Sequence, residues 1–371
     1  MSKFDVKPLP FSVDRTSAVA LTDQVCDGFK RAIISGYYRE GDYLPPFQVI
    51  SRELGVSMRI PREAIERLAA DNFVSPRPRV GSLVLPRNGI VRRGMIIAIL
   101  PAECEGSYYP SVFIGELRRR LLSAGWLFTC VTLDCRRGRR HDLSLLEDVL
   151  SLKIDFAIPV YCPAAAIRML VRKGVPILEV GNGLDNANGR DHFYCSFARA
   201  SEALVRHCEL AGVRSMTIFE YGNGARFYPA LVKSRIKFEI VRIELCAGPD
   251  YLAEIKRTTA REVLRRFGGP EPRLPDALFF ADDYIADGAL VALAALGISM
   301  PEDVKVVVMS NRGWGPVSVK ELTRIEVDPA QCGRVAAAEV LRRIKNPEHH
   351  GEVTVEASYV IGETFPLGTL L

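Results

Sequence analysis

The chain has 371 residues, 48% apolar and 25% charged, a balance that excludes a disordered or collagen-like protein and allows two or three domains with packed cores. Its net charge of +5 sits at one end: residues 1–93 carry 15 Lys and Arg against 10 Asp and Glu, whereas 94–371 carry 34 of each. No cationic and apolar leader occupies the first 20 residues, and the longest apolar stretches, near 95–101 and 289–296, are too short to span a bilayer; a cytoplasmic protein without membrane contact is expected. Nine cysteines, without a C-x-x-C pair or a His at ligand spacing, read as reduced thiols, and no metal or cofactor is expected. A basic quarter on a neutral remainder fits a nucleic-acid-binding head on a larger body, since phosphate rewards Lys and Arg by counterion release. Charge alone equally suits an acidic protein partner.

In chain order, Leu21, Val25, Phe29 and Ile33 recur every four residues and predict a helix that Gly36 stops. A loop with Gly41, Asp42, Pro45 and Pro46 leads to a short helix near 47–54 ended by Gly55. Ser57 then stands as the candidate N-cap of a third helix running to about Ala70. Two helices separated by a short Gly-containing turn fit a helix-turn-helix. The strands Phe73–Ser75 and Ser82–Leu85, around the turn Arg77-Pro78-Arg79-Val80-Gly81, complete a wing.

The residues Gly36, Gly41-Asp42, Leu44-Pro45, Leu54-Gly55-Val56-Ser57, Arg62-Glu63-Ala64, Leu68 and Gly81-Ser82 resemble the signature of GntR-type winged-helix regulators over about 18–86. The resemblance implies a recognition helix in the major groove and a wing at the minor groove of operator DNA. By position it marks Gln48, Ser57, Arg59, Arg62, Arg77, Arg79, Gly81 and Ser82 as the DNA-contacting set. Arginine suits phosphate or a guanine edge, and a helix N-terminus suits phosphate. Met58 stands where the family has Arg, Pro61 replaces an apolar helix former, and Arg79 replaces the first glycine of the wing turn. Pro61 predicts a helix that starts late or tilts.

After a linker at 87–93, short apolar runs alternate with amphipathic helices. Strands are predicted at Met95–Leu100, Leu127–Leu133, Phe156–Val160, Ile177–Val180, Met216–Glu220, Glu239–Leu245, Ala277–Phe280 and Val304–Met309. Helices are predicted at Val112–Ala124, Leu143–Leu150, Ala198–Leu210, Tyr251–Phe267 and Ile285–Leu296. The fold class is therefore α/β: an N-terminal winged helix-turn-helix over 1–86 and a two-lobed, doubly wound parallel-sheet domain over 94–371, its ligand cleft at the carboxyl ends of the strands. The run Arg136-Arg137-Gly138-Arg139-Arg140 and the pair His349-His350 read as solvated loops.

The stretch Ala281-Asp282-Asp283-Tyr284-Ile285-Ala286-Asp287-Gly288-Ala289-Leu290, then Leu296-Gly297-Ile298, Pro301-Glu302-Asp303-Val304 and Leu322-Thr323-Arg324-Ile325 before a helix with Gly333 and Ala336-Ala337, resembles the LacI/GalR-type effector domain. That resemblance implies a periplasmic-binding-protein-like type I fold, three crossovers between lobes, a small polar effector and a homodimer. It places Tyr109, Phe113, Ser196, Arg226, Asp282 and Asn311 at effector-binding positions, with Asp282 where Asn is usual and Ser310-Asn311 in place of an acidic pair; Trp314, between Gly313 and Gly315, is a further candidate by its ring chemistry or else a plug of its loop. Arg, Asp and Asn suit vicinal hydroxyls and Tyr109 or Trp314 an apolar ring face, so a sugar or sugar derivative is expected. No G-x-S-x-G, H-E-x-x-H, Walker A or G-x-G-x-x-G follows a predicted strand, and Cys162 has no His pattern beside it. The reading is a non-enzymatic, ligand-responsive transcriptional regulator, a repressor by family precedent. Its alternative is a carbohydrate-binding module or enzyme whose basic head contacts a protein.

Overall fold

A computed structural model of the protein describes residues 7–17, 19–71, 73–77, 81–86, 93–136, 140–181, 191–221, 228–244, 251–271 and 273–367. They divide into two compact units, one built of residues up to Met95 with Leu121–Leu127, the other of Ile96–Arg120 with Phe128 onward. Among the described residues no helix is long and apolar enough to cross a membrane.

In the first unit, helix α1 (Leu21–Ile34) is followed by β1 (Tyr43–Leu44), α2 (Phe47–Leu54), α3 (Arg59–Ala70), β2 (Val74–Arg77) and β3 (Gly81–Val84). The four-residue stripe of α1 turns inward: Val25, Phe29 and Ile33 are buried with Ile50 of α2 and Ile65 and Leu68 of α3. Gly55 caps α2 in the left-handed conformation, φ 64°, where a Cβ is strained. The three strands form an antiparallel sheet in the order β1-β3-β2, so helix-turn-helix and wing are both present.

Ser57 does not cap α3. The cap position is Met58, without a side-chain cap bond, and the Ser57 carbonyl accepts the Ile60 amide at 3.1 Å. Starting at Arg59 puts Pro61 at the third helical position, where an amide has no intrahelical partner to lose.

The second unit runs β4 (Met95–Pro101), α4 (Tyr108–Ser123), β5 (Leu127–Leu133), β6 (Cys135–Arg136), β7 (Arg140–His141), α5 (Ser144–Val149), β8 (Phe156–Pro159), α6 (Ala164–Arg172), β9 (Glu179–Val180) and β10 (Asp191–Ser196). It continues with α7 (Ala198–Leu210), β11 (Ser215–Glu220), α8 (Tyr228–Val232), β12 (Lys237–Arg242), α9 (Tyr251–Phe267), β13 (Ala277–Phe280), α10 (Asp283–Ala295), β14 (Lys305–Asn311), β15 (Thr323–Val327), α11 (Pro329–Lys345), β16 (Gly351–Glu356) and β17 (Ser358–Val360). One lobe has the strand order β5-β4-β8-β9-β10-β16, with β8 and β9 joined by the bridges Ala157–Ile177 and Val160–Val180. The other has the order β12-β11-β13-β14-β15-β17, parallel except for β17 on the edge. The chain passes between lobes three times, from β10 to α7, from β15 to α11 and from β16 to β17.

Strands β10, β15, β16 and β17 were not among the predicted ones. Burial alternates along β15 and β16, but polar and charged residues leave no continuous apolar run in any of the four. At the two ends of the basic run, Cys135–Arg136 pairs antiparallel with Arg140–His141; 137–139 lie outside the described residues.

Candidate nucleic-acid interface and effector cleft

On the head, α3 buries Pro61, Ala64, Ile65 and Leu68. The opposite face, at helical spacing, presents Arg59, Arg62 and Glu66 to solvent. Gln48 at the start of α2, Ser57 in the turn and Arg77 at the end of β2 are exposed as well. Arg59 is not free, for its Nε donates to Glu63 Oε1 at 2.5 Å, and Arg67 pairs with Asp23. Arg62 has no ion-pair partner among the described residues, which makes it the cation of α3 most available to an anion. Ser82 is a correction: it is 7% exposed, held in the central strand of the wing between Leu44 and Pro76, where its side chain meets protein rather than solvent. Gly81 opens that strand at φ 129° opposite Arg77. Arg79 lies outside the described residues.

In the body, each lobe repeats the order second-first-third-fourth-fifth, which reverses direction beside its first strand. Sheets of this kind hold ligands beyond the carboxyl ends of the strands at that reversal. Tyr108 and Tyr109 follow β4, Tyr161 follows β8, Tyr221 follows β11, and Asp282 follows β13. Tyr161 adopts φ 53°, a costly conformation for a tyrosine, and its ring lies 6.2 Å from that of Tyr109.

Asp282 is the N-cap of α10, its Oδ1 accepting the Tyr284 amide at 2.8 Å while Oδ2 accepts the Tyr221 hydroxyl at 3.3 Å. Burial, and then the neighbouring Asp283, push its carboxyl up to about 7. Below that pH it offers one O–H donor and one carbonyl acceptor, the same polarity as an asparagine amide. Burial also raises Asp283 to about 6, against the opposing donation from Asn311. Asn311 spends its amide nitrogen and its backbone N–H on Asp283 Oδ2, at 2.6 and 3.0 Å. It therefore braces α10 to β14, and these bonds leave its second amide N–H and its Oδ1 unspent.

Phe113 is likewise a correction. It is fully buried, one helical turn from Tyr109, stacks on Tyr109 at 5.8 Å and meets Phe193 tilted at 43° and 5.9 Å. Its part is to support the Tyr109 ring. Ser196 is half-buried at the first crossover, where its carbonyl accepts the Ala357 amide at 2.8 Å. Trp314, 45% exposed, stacks on Tyr108 of the other lobe at 5.2 Å and 19°. The Tyr108 amide donates to the Tyr284 hydroxyl oxygen at 3.0 Å, and the Tyr108 hydroxyl donates to the Arg312 carbonyl at 3.2 Å. These contacts close one side of the cleft. Arg226 lies outside the described residues.

The residues missed in sequence were Tyr108, Tyr161, Tyr221 and Tyr284, each within a few positions of the end of a parallel strand or its following turn; an aromatic at that place was the available signal. Cys162 donates to the Ile99 carbonyl at 3.2 Å, and burial holds its thiol far above the ordinary value, so it is not poised as a nucleophile. A separate cavity of about 480 Å³ beside Trp314 contains Lys320, Arg324 and Glu326. Those charges are matched by Glu302 and by each other, which leaves no unbalanced charge for a ligand.

Residues 21–84 match the family described as bacterial regulatory proteins, gntR family, and residues 240–365 match a periplasmic binding protein-like domain. The chain is 32% identical over 81 residues, 22% of its length and 35% of the relative's, to the uncharacterized HTH-type transcriptional regulator YieP of Escherichia coli. It is 26% identical over 192 residues, 50% of its length and 53% of the relative's, to the HTH-type transcriptional regulator GntR of Pseudomonas aeruginosa. The chain thus spans about a third to a half of the length of these curated relatives. Among solved structures it is similar to a LacI family transcriptional regulator from Silicibacter pomeroyi, with 18% identity, 72% of this chain and 98% of that one covered, and a TM-score of 0.58. A LacI family regulator from Arthrobacter sp. FB24 in complex with lactose gives 20%, 74%, 99% and 0.57. The lac repressor dimer bound to operator and the anti-inducer ONPF gives 16%, 73%, 94% and 0.59. At these identities the likeness is one of fold.

Proposed function

We propose that this chain, a GntR-type winged helix joined to a periplasmic-binding-protein-like body, is a ligand-responsive transcriptional regulator. The head binds operator DNA and the cleft takes a small polar effector, a sugar or sugar derivative. The single observation that carries the reading is the surface of α3 and its turn, where Ser57, Arg59 and Arg62 are exposed beside a wing bearing Arg77. Gln48, Arg79 and Gly81 extend the proposed contact set, while Ser82 serves it only through the wing it holds together. A homodimer places two heads on half-sites about one helical turn apart, and cleft closure on the effector changes their spacing. The coupling is a difference in free energy, typically about 1–3 kcal/mol. A repressor is the direction favoured by the related regulators.

For the cleft, the tyrosines and Asp282 support a ligand with hydroxyls and an apolar face. The neighbour solved with lactose lends the same direction. Arg226 and Ser196 complete the proposed effector set with Tyr109 and Asp282.

The test is binding of the full chain to the region upstream of its own gene across a salt series, repeated with a panel of sugars and sugar acids. A salt-steep complex that one compound releases or tightens is expected. Arg62→Ala should weaken the complex by about 1–3 kcal/mol, with Arg59→Ala costing less because Glu63 already holds that guanidinium. Asp282→Ala should weaken effector binding and leave operator affinity intact. Operator binding unchanged in the Arg59→Ala/Arg62→Ala chain would remove α3 as the recognition helix.

A further inference from the structure

Residues 7–16 lie outside the matched segment 21–84 and yet are docked along the head. Lys7 pairs with Asp42 at 2.6 Å, and the Tyr37 hydroxyl donates to the Pro8 carbonyl at 2.9 Å. The Leu9 amide donates to Glu53 at 3.2 Å and the Asp14 amide to Gln24 Oε1 at 2.7 Å. Phe11 meets Phe29 edge to face at 5.0 Å. The seat for that ring exists because residue 28 is glycine, since a Cβ there would lie 2.5 Å from the Phe11 ring. Glycine inside a helix costs about 1 kcal/mol relative to alanine, so α1 gives up intrinsic stability at the position that the Phe11 ring covers.

The arm delivers Arg15 to the helix-turn-helix. Its guanidinium donates through Nη2 to the carbonyl of Gly55, the left-handed residue between α2 and α3. Arg15 is exposed, and among the described residues no carboxylate pairs with it. One N–H is spent on the carbonyl, which leaves four donors and the whole charge. Two residues beyond Gly55 stands Ser57, and α3 follows with Arg59 and Arg62 on its exposed face. When a recognition helix enters the major groove, its N-terminal residues meet base edges while the helix before it, here α2 with Gly55 at its end, crosses the sugar-phosphate backbone. A guanidinium already held there by a protein carbonyl loses little freedom on meeting an anion.

We propose that Arg15 is a DNA-phosphate contact and that the arm extends the nucleic-acid interface beyond the winged helix. The proposal rests on the reading of the head as DNA-binding. A clip that only satisfied the Gly55 carbonyl would need a donor and no charge, and this separates the two roles.

The experiment is fluorescence anisotropy of the full chain on the upstream duplex, and on a random-sequence duplex, from roughly 50 to 200 mM salt. Arg15→Gln keeps an amide donor and removes the charge. With two heads on the duplex, its slope of log K against log salt should be shallower by about 1.8, so that it loses roughly tenfold less affinity than the unsubstituted chain across that range. Arg15→Lys should restore the slope, with both variants melting at the unsubstituted temperature. An unchanged slope in Arg15→Gln, or a change that Arg15→Lys does not restore, overturns the proposal and leaves the reading of the head standing. Absence of any salt-dependent complex from the unsubstituted chain overturns both.

Discussion

At the scale of single residues, Asp282 carries the most chemistry. Its carboxyl is raised to about 7 by burial and by Asp283, so the folded chain holds a proton there that the unfolded chain has released. Stability from this group is fully present below about pH 4 and is lost as pH rises through about 7, the reverse of a salt-bridged carboxylate. Asp282→Asn should therefore gain on the unsubstituted chain as pH rises from 4 to 7.5, by on the order of 1–3 kcal/mol. Urea unfolding at a series of pH values reads this difference, and parallel curves would mean that Asp282 ionises freely. Arg343 shows the opposite arrangement. It is 4% exposed and donates to Glu339 at 2.6 Å, to Asp191 and to the Gly351 carbonyl at 2.7 Å, with His349 and His350 adding contacts to the same two carboxylates at 3.3 and 2.9 Å. The His pair thus stands in a loop, half-buried at His349 and exposed at His350, and touches this cluster from its solvent side. Removing one partner strands buried charge, so Arg343→Ala should cost about 3–5 kcal/mol by denaturant unfolding.

At the scale of elements, two glycines of the LacI/GalR-like motifs acquire a physical reason. A Cβ on Gly288 would lie 2.1 Å from the Lys256 carbonyl of α9, and one on Gly333 would lie 2.7 Å from the Phe113 carbonyl of α4. Each marks a close crossing of two helices, one per lobe. Backbone atoms cannot swing aside as a side chain can, so Gly288→Ala should destabilise the body by about 1–3 kcal/mol or more, despite alanine's better helix propensity. Gly28 gives a contrasting case, because its neighbour is a side chain. Gly28→Ala should unseat the arm and speed hydrogen exchange over residues 7–16, and adding Phe11→Ala should restore the alanine's stability gain of about 1 kcal/mol in α1. Exchange unaltered in Gly28→Ala would show that the ring finds another seat.

At the scale of the whole body, an aromatic stack joins the two lobes. Tyr108 and Trp314 are parallel at 5.2 Å, and Gly313, at φ 83°, leaves room for the Tyr108 hydroxyl, which a Cβ would approach to 2.7 Å. Such a pair contributes about 0.5–1.5 kcal/mol beyond its buried area, comparable to a typical coupling free energy. Trp314→Ala should shift the lobes toward the open arrangement and enlarge the radius of gyration of the effector-free chain in small-angle scattering. An unaltered radius would place the closing force in the crossovers instead.

Much of this was readable from local pattern. The helix Tyr251–Phe267 and the strands Leu127–Leu133 and Ala277–Phe280 have the predicted boundaries, because continuous apolar runs and 3.6-residue periodicity are properties of neighbouring residues. The turn glycines and the strand-helix alternation set the winged helix and the doubly wound lobes in the same way. Contacts between residues far apart in the chain were not readable. Nothing near Asn311 announces that its amide faces Asp283, nothing near Phe113 that Tyr109 lies above it, and nothing near Gly28 or Gly55 that Phe11 and Arg15 return to them. Those pairings depend on how helices and strands pack, and packing is decided by shape and burial over the whole unit, which a local sequence pattern does not contain.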